Sequence, residues 1–362
     1  MKHTLHLALV AGLLLASGTC RAATSATPPS AERYPYGSPA FTRFLADSCR
    51  RTGQGTPAQF YHWLDKAYRT QNAGKSGSPV TLAALIVSEK QKIVRLPDPT
   101  QKTQRELAVA TQLHHLVKKA MPNFSLQEGF EFTNSVSKGE RQCLLQSVLL
   151  AGLLQAMKVD AGVVMINRSL TGTVSNNGHC SALIHLPNGQ DVFLDASDPK
   201  PFVRHLGLFG VEGGYRFLTP LFQGATPRIV GYTIVGTGGK IAPRHLRFLD
   251  AAFLRSQFDY YRGERTIGGL LSPPANWTGL EKEAALLRSS IKLCPQNPLP
   301  VYMLGRVYLR EARPVPAKRW ISQSLSLYNR QGWTPSGALE AAAKLQIGPR
   351  SASMPARAAR RL

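Results

Sequence analysis

The chain has 362 residues, of which 43% are hydrophobic and 18% are charged. This composition excludes a globally disordered protein, because disordered chains are depleted in apolar residues. The 44 basic and 21 acidic side chains give a net charge of +23, which predicts an anionic partner. The length corresponds to about two to three domains of typical size.

The N-terminal segment, residues 1–26, has the pattern of a signal peptide. Lys2 precedes an apolar run from Leu5 to Ser17, and small residues around Cys20 offer cleavage sites. The run is shorter than the ~20 apolar residues that cross a bilayer, although an uncleaved anchor is the alternative. We therefore expect export, to the periplasm, the cell envelope or the medium.

The basic residues are spread along the chain rather than clustered. No phosphate-binding loop of the GxxxxGK[ST] type is present, and no aromatic residues alternate with the basic ones as they do in nucleic-acid readers. This distribution favours an anionic envelope polymer or a membrane surface as the partner, and we do not expect nucleic-acid binding.

The pattern of residues divides the chain into several regions. Residues 27–40 are rich in proline and polar residues and read as a linker or extended arm. Residues 41–130 form an N-terminal helical region. Its helical pattern runs from 41 to about 121, where apolar side chains recur at spacings of three and four, with a break at 74–79.

The central region, residues 131–275, changes from helical to strand patterns. Cys143 to Met157 is apolar nearly all round, which predicts a fully buried helix. Three predicted strands follow, at 161–166, 179–186 and 191–194. A helix followed by antiparallel strands predicts an α+β fold. The glycine-rich remainder predicts a strand near 232–235 and a helix near 248–261.

The C-terminal region, residues 276–346, is again helical. Leu304-Gly305, Tyr308 and Ala317 stand at the spacings of a tetratricopeptide repeat, and the segment resembles little more than one such unit. Because a solenoid needs about three repeats for stability, we expect these helices to pack on the rest of the chain. Residues 347–362 are basic and predicted to be disordered.

One set of residues has the chemistry of a thiol acyl-transfer site. Cys143 opens the buried helix, where unpaired N–H groups favour a thiolate and its N–H can hold an oxyanion. His179 opens the second strand as a general base, and Asp195 ends the third as the group that orients the imidazole. Gln142 is a weaker oxyanion candidate.

The stretch from Gly139 to Pro199 resembles the core of the transglutaminase-like superfamily. In that pattern a glycine and a cysteine open a long apolar helix, a histidine begins the second strand and an aspartate ends the third. The resemblance implies a papain-like core with Cys143, His179 and Asp195 as catalytic residues. It implies thiol-dependent transamidation, deamidation or hydrolysis of amides. The chain departs from the pattern at Ser181, Phe193 and Ala196.

The other cysteines and histidines are expected to be structural. Cys180 should point to the sheet face opposite His179, and pairing of Cys49 with Cys294 stays open. Four histidines have no metal-ligand spacing and are expected at the surface; they are His114, His115, His205 and His245. We expect no metal site.

We therefore expect an exported cysteine-dependent acyltransferase or amide hydrolase, close to a cysteine peptidase, which acts on protein or peptide amides without a cofactor. The alternative is a non-catalytic envelope scaffold that binds a partner peptide through the core and the C-terminal helices.

The register of the predicted hairpin between the second and third strands decides whether the site can form. A two-residue turn at Asn188-Gly189 would place His179 and Asp195 on opposite faces of the sheet, so a catalytic pair requires a longer or bulged connection.

Overall fold

The fold is described from a computed structural model, which covers residues 32–77 and 79–347. The predicted signal peptide at 1–26 and the predicted tail beyond residue 347 lie outside the described residues. Across the described ranges, none of the helices combines the length and the apolar character needed to cross a membrane.

Four helices form the N-terminal region. They are α1 (Pro39–Thr52), α2 (Pro57–Asn72), α3 (Leu82–Arg95) and α4 (Pro99–Ala120). Each begins after a Ser, Thr or Asp whose side chain accepts a hydrogen bond from a backbone N–H of the first turn. The helical pattern predicted for 41–121 is confirmed, and the predicted break falls between α2 and α3.

The described part of the predicted linker, residues 32–38, is packed rather than free. Tyr34 is buried, and its N–H donates to Gln155 Oε1 at 2.9 Å. The N–H of Tyr36 donates to the carbonyl of Gly152 at 2.8 Å. A side chain at Gly152 would lie 2.9 Å from the Phe41 ring, so the glycine permits this close crossing. The arm is fixed because its aromatic residues enter the core.

The central helix is introduced by short elements that fix its first residue. Helix α5 (Phe132–Lys138) is preceded by β1 (Asn123–Phe124) and followed by β2 (Glu140–Arg141), and the two strands pair in parallel. Helix α6 then runs from Cys143 to Ala156. All but its two ends are buried, which confirms the predicted helix and its burial.

Eight further strands form one sheet. They are β3 (Ala161–Arg168), β4 (Val174–His185), β5 (Asp191–Leu194), β6 (Phe202–Val203), β7 (Gly207–Val211), β8 (Tyr215–Phe222), β9 (Ile229–Ile234) and β10 (Lys240–Ile241). The strand order is β10-β9-β8-β7-β3-β4-β5-β6, and β9 also pairs with β5 through Asp191 and Ile229. This pairing closes six antiparallel strands into a barrel. The barrel core contains Val164, Leu183, Phe193, Leu218 and Tyr232, among others.

Helix α6 packs on the face of β3 and β4 that points away from the barrel core. Val163, Met165, Cys180 and Ala182 point to this side and belong to the larger core of the protein, which the helix shares. The predicted α+β class, with helices at both ends of the chain, is confirmed at this level. The sequence did not predict closure of the sheet.

The hairpin between β4 and β5 has the register that the site requires. His185 pairs with Asp191 and Ala182 with Leu194, so a three-residue loop, 187–189, joins the strands. Gly189 has φ +81 and donates its N–H to the carbonyl of Leu186 at 2.9 Å. This is the longer connection that was predicted, and it places His179 and Asp195 on one face.

The C-terminal region packs on the core through α7. The helices are α7 (Ala251–Glu264), α8 (Trp277–Leu293), α9 (Pro298–Arg310), α10 (Pro314–Gln331) and α11 (Ser336–Lys344). Ser290 of α8 hydrogen-bonds Ser256 of α7 at 2.9 Å, and Trp333 packs edge-on against Phe217 of β8. Helices α9 and α10 approach closely, because Gly305 leaves room for the Ile321 side chain.

A buried acid, Glu283, makes the stability of this region depend on pH. Its Oε2 accepts the N–H of Leu270 at 2.6 Å. Burial, together with the charge of Glu264, raises the pKa of Glu283 to about 7. The hydrogen bond from Leu270 opposes this shift but does not cancel it. The folded state thus holds a proton that the unfolded state has lost, and stability should decrease as the pH rises from 4.5 to 7.

Between pH 4.5 and 8, we expect the free energy of unfolding to fall by about 2–3 kcal/mol less in Glu283→Gln than in the natural protein. The amide keeps an oxygen that can accept from Leu270 but does not ionise. Urea titrations at both pH values would measure the difference. Equal pH dependence in the two proteins would show that Glu283 is not the group responsible.

Candidate active site

Cys143 is the first residue of α6, and the elements before it fix its position. The N–H of Ser125 donates to the carbonyl of Arg141 at 3.1 Å, and Ser135 Oγ donates to the carbonyl of Glu140 at 2.9 Å. Gln142 precedes the helix and makes no side-chain capping bond. The Gln142 side chain therefore leaves the N–H groups of the first turn uncapped, and Cys143 belongs to that turn. Cys143 is partly exposed.

His179 and Asp195 meet at the end of the β4–β5 hairpin. His179 Nε2 lies 2.6 Å from Asp195 Oδ2. The His179 side chain is 30% exposed and that of Asp195 is 4% exposed, so the imidazole reaches solvent while the carboxylate does not. Asp195 Oδ1 accepts the N–H of Ser197 at 2.8 Å. Since Nε2 faces Asp195, Nδ1 is the nitrogen left for another partner.

The partner of His179 on its other side is Cys143. A hydrogen bond with Cys180 and the charge and hydrogen bond of His179 together hold the pKa of the Cys143 thiol well below its usual range, although burial opposes them. Burial lowers the pKa of His179, but Cys143 and Asp195 outweigh it and raise that pKa to about 11. The structure therefore favours a thiolate–imidazolium pair, and it brings the three sequence-predicted residues together.

A second histidine, His205, bonds the same carboxylate oxygen. Its Nε2 lies 2.8 Å from Asp195 Oδ2, and the residue is 3% exposed. Hydrogen bonds from His179 and His205 lower the pKa of Asp195, although burial opposes them. The prediction that His205 is a surface residue is wrong. It lies in the connection after β6, where no periodic pattern marks a side chain as buried.

The loop that carries Asp195 is anchored by α4. His114 Nε2 lies 3.1 Å from the carbonyl oxygen of Asp195 and 3.2 Å from that of Asp198. Lys118 Nζ donates to the carbonyls of Ala196 and Asp198, at 3.1 and 2.9 Å. His114 is fully buried, so the surface prediction is wrong for it too; the loop carbonyls satisfy its Nε2, while its Nδ1 has no partner among the described residues. His115 and His245 are exposed, as predicted.

The remaining cysteines of the described chain are free thiols. Cys180 is buried behind the strand, with its Sγ 3.2 Å from Met165 Sδ, and burial raises its pKa. Tyr261 of α7 hydrogen-bonds Cys180, a contact that the sequence does not indicate. The question of pairing between Cys49 and Cys294 is answered by Tyr215, whose hydroxyl lies 3.6 Å from Cys294 Sγ in place of a disulfide.

The amide side chains near the start of α6 have unusual surroundings. Gln142 is buried, and its Oε1 has no hydrogen-bond partner among the described residues. Gln146 lies one turn further on, and both of its amide atoms are buried without a partner in the same part of the chain. Gln142 as an oxyanion donor stays a prediction.

One cluster has residue types that can hold a metal ion. The ligand atoms of His179, Asp195 and His205 all lie within 4.8 Å of one another. Ligands about 2.0 Å from a tetrahedral zinc ion are about 3.3 Å apart, whereas the two Nε2 atoms lie 2.6 and 2.8 Å from Asp195 Oδ2. Those distances are typical of hydrogen bonds, and His179 is also hydrogen-bonded to Cys143. The residue types are those of a metal site, but the nitrogen–oxygen distances are those of hydrogen bonds.

We therefore expect that EDTA leaves the rate of Cys143 alkylation unchanged. The hydrogen-bonded arrangement needs no ion to hold His179 in place. The rate would be measured with iodoacetamide at pH 6, with and without prior dialysis against the chelator. A lower or higher rate after EDTA, reversed by added zinc, would show that the cluster holds a metal.

Comparison of the chain with protein-family models, with curated proteins and with solved structures finds no match.

Proposed function

We propose that the protein is a cysteine-dependent acyltransferase or amide hydrolase that acts on protein or peptide amides. The observation that carries the proposal is the ordered chain of contacts from Cys143 through His179 to Asp195, with the first two partly exposed and the third buried. A nucleophile, a proton carrier and an orienting group in this order form the arrangement that covalent acyl transfer needs.

In the first half-reaction, the Cys143 thiolate attacks the carbonyl carbon of the amide. The oxyanion that forms lies within reach of the N–H groups at the start of α6, which are aligned with the helix dipole. His179 gives its Nδ1 proton to the amide nitrogen as the carbon–nitrogen bond breaks. The products are a thioester on Cys143 and a free amine or ammonia.

In the second half-reaction, water or an amine attacks the thioester. His179 Nδ1 takes the proton of the attacking group, and the carbon–sulfur bond breaks to restore the thiolate. Asp195 keeps Nε2 protonated throughout, so that Nδ1 alone exchanges protons. Water as the acceptor gives hydrolysis or deamidation, and a primary amine gives transamidation.

The proposal includes export, which rests on the sequence of residues 1–26. An anionic envelope polymer or membrane surface is the proposed secondary partner, because of the net charge of +23. The scaffold hypothesis is the second candidate. It requires a free face on the C-terminal helices, but Leu304, Ala317 and Tyr328 are buried, which favours a packing role for these helices.

Trapping of the thioester tests the proposal. The protein would be incubated with glutamine-containing peptides and with a fluorescent primary amine, and ammonia release and amine incorporation would be measured. We expect a mass increase on the peptide that contains Cys143, and none in Cys143→Ser. Cys49→Ser is the matched control and should react like the natural protein. An adduct-free Cys143 with all substrates, together with normal folding, would favour the scaffold.

A further inference from the structure

His205 is a buried group that contacts the proposed triad directly and to which the proposed reaction assigns no step. Its Nε2 shares Asp195 Oδ2 with His179, at 2.8 and 2.6 Å. The N–H of Ser197 occupies Oδ1 at 2.8 Å. The carboxylate thus has three donors in fixed directions, two of them on one oxygen.

The surroundings of His205 fix which nitrogen carries its proton. Nδ1 is buried and has no hydrogen-bond partner among the described residues. A proton on Nδ1 alone would leave the lone pair of Nε2 facing the carboxylate, which is repulsive. The ring packs edge-on against Phe193 of the barrel core, with a centroid distance of 5.2 Å. His205 is therefore held as an Nε2–H donor.

We propose that His205 is a positioning residue, which holds Asp195 in the one orientation that presents Nδ1 of His179 to Cys143. The inference rests on the proposed function and adds a fourth member to its site. Without the His205 hydrogen bond, the carboxylate can turn about its Cβ–Cγ bond, and the His179 ring then turns with it. The thiol loses its imidazole partner for part of the time, although all three reacting groups are present.

Alkylation of Cys143 in the full-length protein tests this role. The rate with iodoacetamide would be followed from pH 5 to pH 8 by mass spectrometry of the Cys143 peptide. We expect His205→Phe to slow alkylation at pH 6 about ten-fold, the effect of losing one hydrogen bond to a charged group. The inflection of the pH profile should move to higher pH. His205→Gln, whose amide nitrogen can reach the position of Nε2, should restore most of the rate, and His205→Asn should not.

The matched control is His185→Phe. His185 Nδ1 lies 2.7 Å from the buried carboxylate of Asp191, in the same barrel but away from Cys143. Its loss should lower stability and leave the alkylation profile unchanged. An unchanged profile in His205→Phe, or equal slowing by His185→Phe, would overturn the positioning role. If a phenylalanine variant does not fold, the glutamine–asparagine comparison decides, and equal rates for the two would overturn the proposal.

The outcome also separates this inference from the proposed function. If His179→Ala slows alkylation and His205→Phe does not, the role of His205 is wrong and the reaction is unaffected. If neither variant slows it, the thiol–imidazole pair fails and the inference fails with it.

Discussion

His179→Ala is expected to slow alkylation of Cys143 at pH 6 about ten- to a hundred-fold. An unperturbed thiol, with a pKa of ~8.5, is about 0.3% thiolate at pH 6. The paired thiol is ionised to a much larger fraction at that pH, since its pKa lies well below its usual range. The lower nucleophilicity of a more acidic thiolate reduces the gain from ionisation, which leaves the expected range.

The control for this prediction is His115→Ala. His115 is exposed on α4, and its ring packs edge-on against that of the buried His114. We expect no change in rate for this variant. Equal rates in His179→Ala and the natural protein, with both folded, would contradict the pairing of the thiol with the imidazole.

Removal of α8 to α11, by ending the chain at residue 276, is expected to destabilise the core severely. These helices pack on α7 and β8, so the buried aromatic residues Phe253 and Phe217 would then meet solvent. We expect loss of the cooperative thermal transition, or a fall in its midpoint of at least about 10 °C.

A point variant tests the same contact without truncation. Leu287 of α8 is fully buried and lies against Gly263 of α7, so Leu287→Ala should lower the free energy of unfolding by about 2–5 kcal/mol. Leu339→Ala, at an exposed position of α11, should change it by less than about 0.5 kcal/mol. A truncated protein that stays soluble with the same melting midpoint would refute the packing role and support an independent partner-binding module.

The elements that were predictable from the sequence are those with strong local patterns. Helix α6 is apolar all round, and its predicted start at Cys143 is the observed one. The strands at 161–166 and 191–194 are runs of buried residues bounded by turns. By contrast, β7 and β8 lie in a glycine-rich segment, where a short period-2 pattern is easily lost. Closure of the barrel depends on the pairing of Asp191 with Ile229, which no local pattern encodes.

The part of the site that was predictable is the part that chain order and strand register determine. Cys143 begins α6, His179 lies in β4 and Asp195 follows β5, and the parity of the β4–β5 hairpin requires the loop that is observed. His205 and His114 could not be found in this way. One is in a connection and the other is on a distant helix, so their approach to Asp195 is a consequence of tertiary packing. The one available signal in the sequence is weak: a polar residue close in the chain to the end of a buried strand can be a partner of the catalytic groups.

The most direct test of the account is the pH profile of Cys143 alkylation in the natural protein. The rate would be measured from pH 4 to pH 9, with the modified cysteine identified by peptide mass spectrometry. The pairing of Cys143 with His179 predicts an inflection well below that of an ordinary thiol and a plateau above it, because His179 stabilises the thiolate. A rate that rises through pH 8.5 without a plateau, as for an unperturbed thiol, would contradict it.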